Sequence, residues 1–309
     1  MKMKFDFIGR SKTFFIISIA IMAIIIVATL LFGVNLDIQF KGGLIVTYAY
    51  EGEIDTSEFE QRIRDELGAG VSVQESSDIA TGFATLVMTM PGSLESQELN
   101  ALNDTLEQAY PENNLKDLSI SNVDPTIGGE FLAKCITAVA VASILMMVYV
   151  ALRFRKIGGI SAGAMAVVAL IHDIIVVYGV FVILGYSIND NFIAVVLTIL
   201  GYSLNDTIVI YDRVRENRRL MSDKTPIGEL VNQSINQSFT RTLFTSITTI
   251  MAMLVVTLVA WMYNVNSIMS FALPMVIGLI SGTYSSICIA GPLWVKWREY
   301  SGAKANLST

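Results

Sequence analysis

The sequence predicts an α-helical polytopic membrane protein with six transmembrane helices and an α+β domain inserted between helices 1 and 2. Three observations carry this. The 309 residues are 53% hydrophobic and only 16% charged, with a mean hydropathy of +0.58, outside the range of an ordinary soluble domain. Six runs, residues 14–32, 131–152, 157–184, 191–210, 242–261 and 267–290, are long and apolar enough to span a bilayer. A long polar stretch, residues 35–129, separates the first two runs and carries strand and helix patterning of its own.

The first run is the one candidate signal peptide. No small-residue cleavage pattern follows it, so it is read as an uncleaved span. In the inserted stretch, residues 44–50 read as a strand rich in Val, Ile, Thr and Tyr. Residues 56–67 read as a helix, with Phe59, Ile63 and Leu67 on one face and Asp55 as N-cap. Strands follow at 71–74 and 83–90, joined by a turn at Thr81 and Gly82. Pro91-Gly92-Ser93 ends the second of them. Residues 95–109 form a helix, with Leu99, Leu102 and Leu106 aligned, and 115–123 close as a strand. The order β-α-β-β-α-β is the ferredoxin-like arrangement, a fold that names no function. The chain thus divides into residues 1–34 (N-terminus and helix 1), 35–129 (ferredoxin-like domain), 130–292 (helices 2–6) and 293–309 (tail).

Basic residues orient the spans. Lys2, Lys4, Arg10 and Lys12 precede the first. Arg153, Arg155 and Lys156 follow the second, Arg213, Arg215, Arg218, Arg219 and Lys224 the fourth, and Lys296, Arg298 and Lys304 the sixth. All fall on one side when the spans alternate, and Lys and Arg in short loops mark the cytoplasm. Both termini are therefore expected inside and residues 35–129 outside. That outer domain holds 17 acidic and four basic residues, a net of −13, against about +7 for the remainder. Such an acidic surface excludes nucleic acid as its partner. Cys135 and Cys288 fall in spans as small apolar residues, and with a single histidine neither a zinc site nor a disulfide framework is expected. No catalytic constellation and no cofactor site emerges.

Polar residues at membrane depth are the candidate functional groups. Asp206 lies in the fourth span. With Thr198, Gly201, Tyr202 and Asn205 it forms one polar helical stripe, expected to face into the bundle, opposite Val195, Ile199, Ser203 and Thr207. Its proposed role is to bind and release a proton; the alternative is a structural hydrogen bond. Arg241 opens the fifth span on a face with Thr245, Thr248 and Thr249, either as a counter-charge for Asp206 or as a snorkelling anchor. His172 and Asp173 sit near the centre of the third span, as a second relay position or as interhelical contacts. In the sixth span Gly278, Ser281, Gly282 and Ser285 form a small-residue face suited to close helix packing, and Pro274 permits a kink. Residues 227–239 read as a separate interfacial helix, with Leu230, Ile235 and Phe239 as apolar contacts. Two necks join the outer domain to the membrane part, one with Gly42 and Gly43, the other with Pro125 and Gly128. They serve as linkers or as a hinge.

Several segments together resemble the SecD/SecF family of protein-export membrane proteins, within the resistance-nodulation-division superfamily. They are Asp37-Ile38-Gln39-Phe40-Lys41-Gly42-Gly43, Tyr149-Val150-Ala151-Leu152-Arg153-Phe154-Arg155, His172-Asp173, Gly201-Tyr202-Ser203-Leu204-Asn205-Asp206-Thr207-Ile208-Val209, Tyr211-Asp212-Arg213-Val214-Arg215-Glu216-Asn217, Thr240-Arg241-Thr242 and Ser281-Gly282-Thr283-Tyr284-Ser285-Ser286. The resemblance implies a prokaryotic cytoplasmic membrane location and proton-motive-force-driven assistance to preproteins leaving the SecYEG channel after SecA has acted. Protons are the expected coupling ion and sodium the alternative. The implied partners are SecD, which would supply a second six-helix half, SecYEG with SecA, the translocating preprotein and a YidC-type insertase. It also implies that Asp206 and Arg241 are proton-path residues. The rival readings are a scaffold subunit that moves no protons, and half of a small-molecule transporter of the same superfamily. One departure is visible: Val123-Asp124-Pro125 stands where the family usually has Val-Gly-Pro.

Overall fold

The computed structural model describes residues 5–307, apart from 69, 78–83, 93, 223–224 and 264. Lys2, Lys4, the turn at Thr81 and Gly82, Ser93 and Lys224 lie outside the described residues.

Helix α1, Ser11–Phe32, ends at Gly33. A four-residue helix α2, Ile38–Lys41, follows where the sequence reading placed only a turn. The Asp37 carboxylate caps it by accepting the Gln39 N–H at 3.0 Å. Strand β1, Gly43–Tyr50, helix α3, Thr56–Leu67, strands β2, Ser72–Ser77, and β3, Ala84–Met90, helix α4, Ser96–Ala109, and strand β4, Lys116–Val123, complete the inserted module. Its sheet is antiparallel throughout, in the order β2-β3-β1-β4. The alternation of β1 buries Leu44, Val46, Tyr48 and Tyr50 against Phe59 and Ile63 of α3 and Leu102 and Leu106 of α4. That is the period-two pattern of a sheet with helices on one face.

Helix α5, Pro125–Arg153, leads through a 3₁₀ turn to α6, Gly159–Leu184. Then come α7, Asp190–Leu220, α8, Ile227–Met262, and α9, Asn266–Ser285, which continues through a π turn at Ser286–Ala290 into α10, Gly291–Leu307. Among the described residues six helices are long and apolar enough to cross a membrane, with α9 and α10 counted as one. Helix α6 is central and packs against α1, α5, α7 and α9. Small residues let these neighbours approach: a Cβ on Gly179 would stand 2.5 Å from Ile25 Cγ1 of α1.

Two expectations need correction. The basic segment after the fourth span is helical, because α7 runs on past it to Leu220. The separate interfacial helix at 227–239 does not exist: those residues are the first turns of α8, continuous with the fifth span. Leu230 and Ile235 are buried against protein rather than lipid. Polar clamps explain the long α7–α8 hairpin. Asn217 Nδ2 donates to Ser234 Oγ at 2.9 Å and to Gln237 Oε1 at 2.8 Å, and the N–H groups of Phe5 and Phe7 donate to Asn236 and Asn232.

Candidate functional site: two aspartates in a hydroxyl-lined membrane core

Asp173 of α6 is fully buried. It accepts hydrogen bonds from Ser285 Oγ at 2.6 Å, Ser281 Oγ at 2.7 Å and Ser203 Oγ at 2.8 Å, and His172 Nδ1 lies 3.3 Å away. Two helices thus wrap one carboxylate, α7 with Ser203 and α9 with Ser281 and Ser285. Hydroxyl donors replace the water that a buried carboxylate loses. The small-residue face of α9 makes this possible by splitting its work. A Cβ on Gly278 would sit 2.8 Å from Ile199 Cγ1, and one on Gly282 3.1 Å from Ser203 Cβ, so the glycines admit α7 while Ser281 and Ser285 bind the acid. The π turn begins beside this cage. Ser286 Oγ donates to the Ser203 carbonyl at 2.9 Å and accepts from Thr207 Oγ1 at 3.0 Å. Such widened turns recur at functional sites.

Asp206 lies one turn along α7 from Ser203 and is also buried, but it is held differently. Its hydroxyl partner is Ser246 of α8, at 3.5 Å, and Ser246 is itself engaged, donating to the Thr242 carbonyl at 2.8 Å and accepting from Thr283 Oγ1 at 2.8 Å. None of the ion pairs among the described residues includes Asp206. Serines and threonines therefore form two hydroxyl clusters in the membrane part, one around Asp173 from α7, α9 and the π turn, the other beside Asp206 from α8 and α9. Among the described residues, His172 Nε2, Tyr202 Oη and Thr242 Oγ1 are buried polar atoms without a hydrogen-bond partner.

Two placements differ from expectation. Arg241 is exposed on α8 and makes no ion pair with Asp206, so of its two readings the counter-charge is not in place within this chain, and its exposed position is that of the snorkelling alternative. The polar stripe of α7 faces inward only at Asp206 and, in part, at Tyr202. Thr198, Gly201 and Asn205 are exposed, Tyr202 is partly buried, and the face formed by Val195, Ile199, Ser203 and Thr207 is the packed one. Asp206 is buried because it borders that packed face. Ser203, Thr207, Ser246, Thr283 and Ser286 were not singled out as functional. The available signal was the four-residue spacing of Ser203 and Thr207 beside Asp206, set against the serines of 281–286.

The necks meet each other. A Cβ on Gly128 would stand 3.0 Å from both Gly42 N and the Phe40 carbonyl oxygen, and the rings of Phe40 and Phe131 lie 5.5 Å apart. Gly43, at φ +147°, has Met90 O where a Cβ would go, at 2.5 Å. The first neck also pairs with the loop between α6 and α7: the Asp37 N–H donates to Ile188 O at 3.0 Å and the Ile188 N–H to Asn35 O at 2.8 Å. Pro125 opens α5, and Asp124 caps it by accepting the Thr126 N–H at 2.7 Å, which holds this carboxyl below the usual carboxylate range.

Residues 102–300 match the family described as protein export membrane protein SecD/SecF, C-terminal. The chain belongs to the SecD/SecF family. Among its SecD/SecF relatives, the protein translocase subunit SecF of Alicyclobacillus acidocaldarius is 33% identical over 309 residues, covering 99% of this chain and 97% of that subunit. The fused protein translocase subunit SecDF of Bacillus subtilis is 33% identical over 96% of this chain, which spans 38% of the fusion. The crystal structure of SecDF from Thermus thermophilus, a translocon-associated membrane protein, superposes with a TM-score of 0.78 at 30% identity. It covers 96% of this chain, against 39% of its own length. Within the SecD/SecF family the chain is thus of the SecF type, a multi-pass membrane component of protein translocation that matches SecF subunits end to end and about two fifths of the SecDF fusions.

Proposed function

We propose that this SecF-type subunit couples proton movement to late-stage export of preproteins through SecYEG, acting with SecD after SecA. The observation that carries this reading is the contrast between the two acids. Asp173 is held by three short hydroxyl bonds, whereas Asp206, buried in the same core, has one hydroxyl at 3.5 Å and no cation. A buried carboxyl with so few partners is the group whose protonation changes with the least rearrangement around it. On this reading Asp206 takes up and releases the proton. Ser246 and Thr283 carry the change to α8 and α9, and Asp173 with His172 anchors the pivot on α6. Asn205 and Arg241 lie on the exposed side and complete the path at the boundary with SecD. A charge crossing the membrane potential supplies about 2.3 kcal/mol per 100 mV, enough to bias a two-state rearrangement.

The partnership with SecD rests on the fused relatives, in which this chain corresponds to one part of a longer SecDF protein. It also rests on the polar, exposed stripe of α7, since polar side chains at membrane depth face protein or water. The module of residues 35–129 is read as ferredoxin-like and extracytoplasmic, with both termini cytoplasmic, from the distribution of Lys and Arg. The contact between Gly42 and Gly128 makes the paired necks the joint through which the membrane helices move that module. SecYEG, SecA, the preprotein and a YidC-type insertase are the partners this role requires.

The test is preprotein translocation into inverted membrane vesicles containing SecD, with and without an imposed proton gradient. Asp206→Asn is expected to assemble normally and to lose the gradient-dependent part of transport. Equal stimulation of native and variant chains would instead make this a scaffold subunit.

A further inference from the structure

A groove of about 830 Å³ runs along the outside of the helix bundle between α5 and α6, at their basic end. Val148, Leu152, Ile160, Ala164, Met165 and Trp297 line it, and Leu152, Ile160 and Trp297 are well exposed. Its volume falls in the range of small-ligand sites, roughly 300–1,000 Å³. Arg155 stands on its rim. Directly adjoining is a second, polar cavity of about 180 Å³, whose lining includes Lys156, Arg218 and Arg298. The Arg298 guanidinium joins the two. It lies over the 3₁₀ turn between α5 and α6, with Nη1 2.8 Å from where a Cβ of Gly158 would stand.

These cations differ from their neighbours in how they are paired. Arg153 and Arg215 share Asp212, and Arg213 pairs with Glu216. Arg155, Lys156, Arg218 and Arg298 take part in none of the ion pairs among the described residues. Two cations without an ion pair, Arg155 on the rim and Arg298 beside Gly158, therefore border an apolar trough that opens outward from two membrane-length helices and includes Trp297, while Lys156 and Arg218 line the polar cavity next to it. Trp and basic residues mark the headgroup level of a bilayer, and basic pockets between membrane helices hold anionic headgroups.

We propose that this groove binds an anionic phospholipid, with the phosphate held by Arg155 and Arg298 and one acyl chain laid along α5 and α6. Charge and shape agree on this occupant: a zwitterionic lipid would leave the cations uncompensated, and a water-soluble anion would leave the trough empty. The site lies on the outer face of α5 and α6 and shares no residue with the aspartate core.

The experiment is native mass spectrometry of the full chain in detergent, titrated with phosphatidylglycerol or with phosphatidylcholine of the same acyl chains. Phosphatidylglycerol is expected to bind at least tenfold more tightly. Each removed cation is expected to weaken it about fivefold, so Arg155→Gln with Arg298→Gln costs phosphatidylglycerol about 25-fold and phosphatidylcholine, whose ammonium already offsets its phosphate, much less. Both side chains are exposed, and an unchanged thermal transition in detergent shows that the double variant folds. Ala164→Phe, which narrows the trough, is expected to weaken both lipids. Equal binding of the two lipids, or no response to the double variant, overturns the proposal. So does displacement by glycerol phosphate alone, which would make the site one for a soluble anion. Phosphatidylglycerol is expected to stay bound in the complex with SecD; its loss there would assign the groove to a partner helix.

Discussion

Asp173 accepts three serine hydroxyls at 2.6–2.8 Å, while Ser246 Oγ donates to Asp206 at 3.5 Å. A hydrogen bond to a charged group contributes roughly 1.5–3 kcal/mol, and a buried donor left unpaired costs about 1–3 kcal/mol. Asp173→Asn weakens several such bonds at once and is expected to destabilise the chain by about 3 kcal/mol or more. Asp206→Asn breaks little and is expected to stay within about 1 kcal/mol of the native chain. Thermal unfolding in detergent checks both, and a loss at Asp206 as large as that at Asp173 would contradict the division of roles between them. Asp124 illustrates the same accounting outside the membrane. Where the family usually has glycine, this chain has a side chain that caps α5, so the second neck is anchored at the start of the span.

The helices owe their arrangement to close approaches that no side chain would permit. Gly278 meets Ile199 and Val177, and Gly282 meets Ser203, which brings α9 near enough to α6 and α7 for its serines to reach Asp173. Gly278→Leu overpacks that contact and is expected to cost on the order of 1–3 kcal/mol, more if the helices separate and the cage opens. At the necks, Gly128→Ala is expected to push α2 off α5, because the atoms it meets belong to backbone. Limited proteolysis of the full chain measures this, with faster cleavage between residues 33 and 43 in the variant. Unchanged cleavage would mean that the two necks do not depend on each other.

As a whole, the membrane part is one-sided. α9 is mostly enclosed and α6 is buried on its inner side, whereas α1, α5 and α8 present long apolar faces to the outside. On α7 the exposed face is partly polar, with Thr198, Gly201 and Asn205, and Arg241 is exposed on the neighbouring α8. If SecD covers this side, a cysteine at Asn205 in a chain lacking Cys135 and Cys288 is expected to cross-link to it, and one at Ile136, exposed on α5, is not. Cross-linking from Ile136 alone would move the subunit boundary to α5. The inserted module is tied in at several points: through both necks, through the pairing of Leu36 with Ile188, and through Asn266 at the start of α9, whose side-chain amide donates to Glu75 O at 3.4 Å. The start of α9 thus touches β2, the module's edge strand.

The sequence by itself determined the six spans, the element order of the inserted module and the two buried acids. All of these are local signals: hydropathy over one helix length, periods of two and 3.6, and charge at membrane depth. Only the tertiary structure decided which face of α7 is inside. Polarity pointed to the wrong face because a membrane helix can satisfy its own hydroxyls: Thr198 Oγ1 donates to Ala194 O at 2.7 Å and Thr245 Oγ1 to Arg241 O at 2.9 Å, so neither needs an interior partner. The serine cage was illegible for the same reason, since a serine in a small-residue face reads as packing until the acid it binds is brought opposite it. The continuity of α8, the contact of the two necks and the unpaired Arg241 likewise depend on which segments, distant in sequence, become neighbours. Composition along one helix does not encode that.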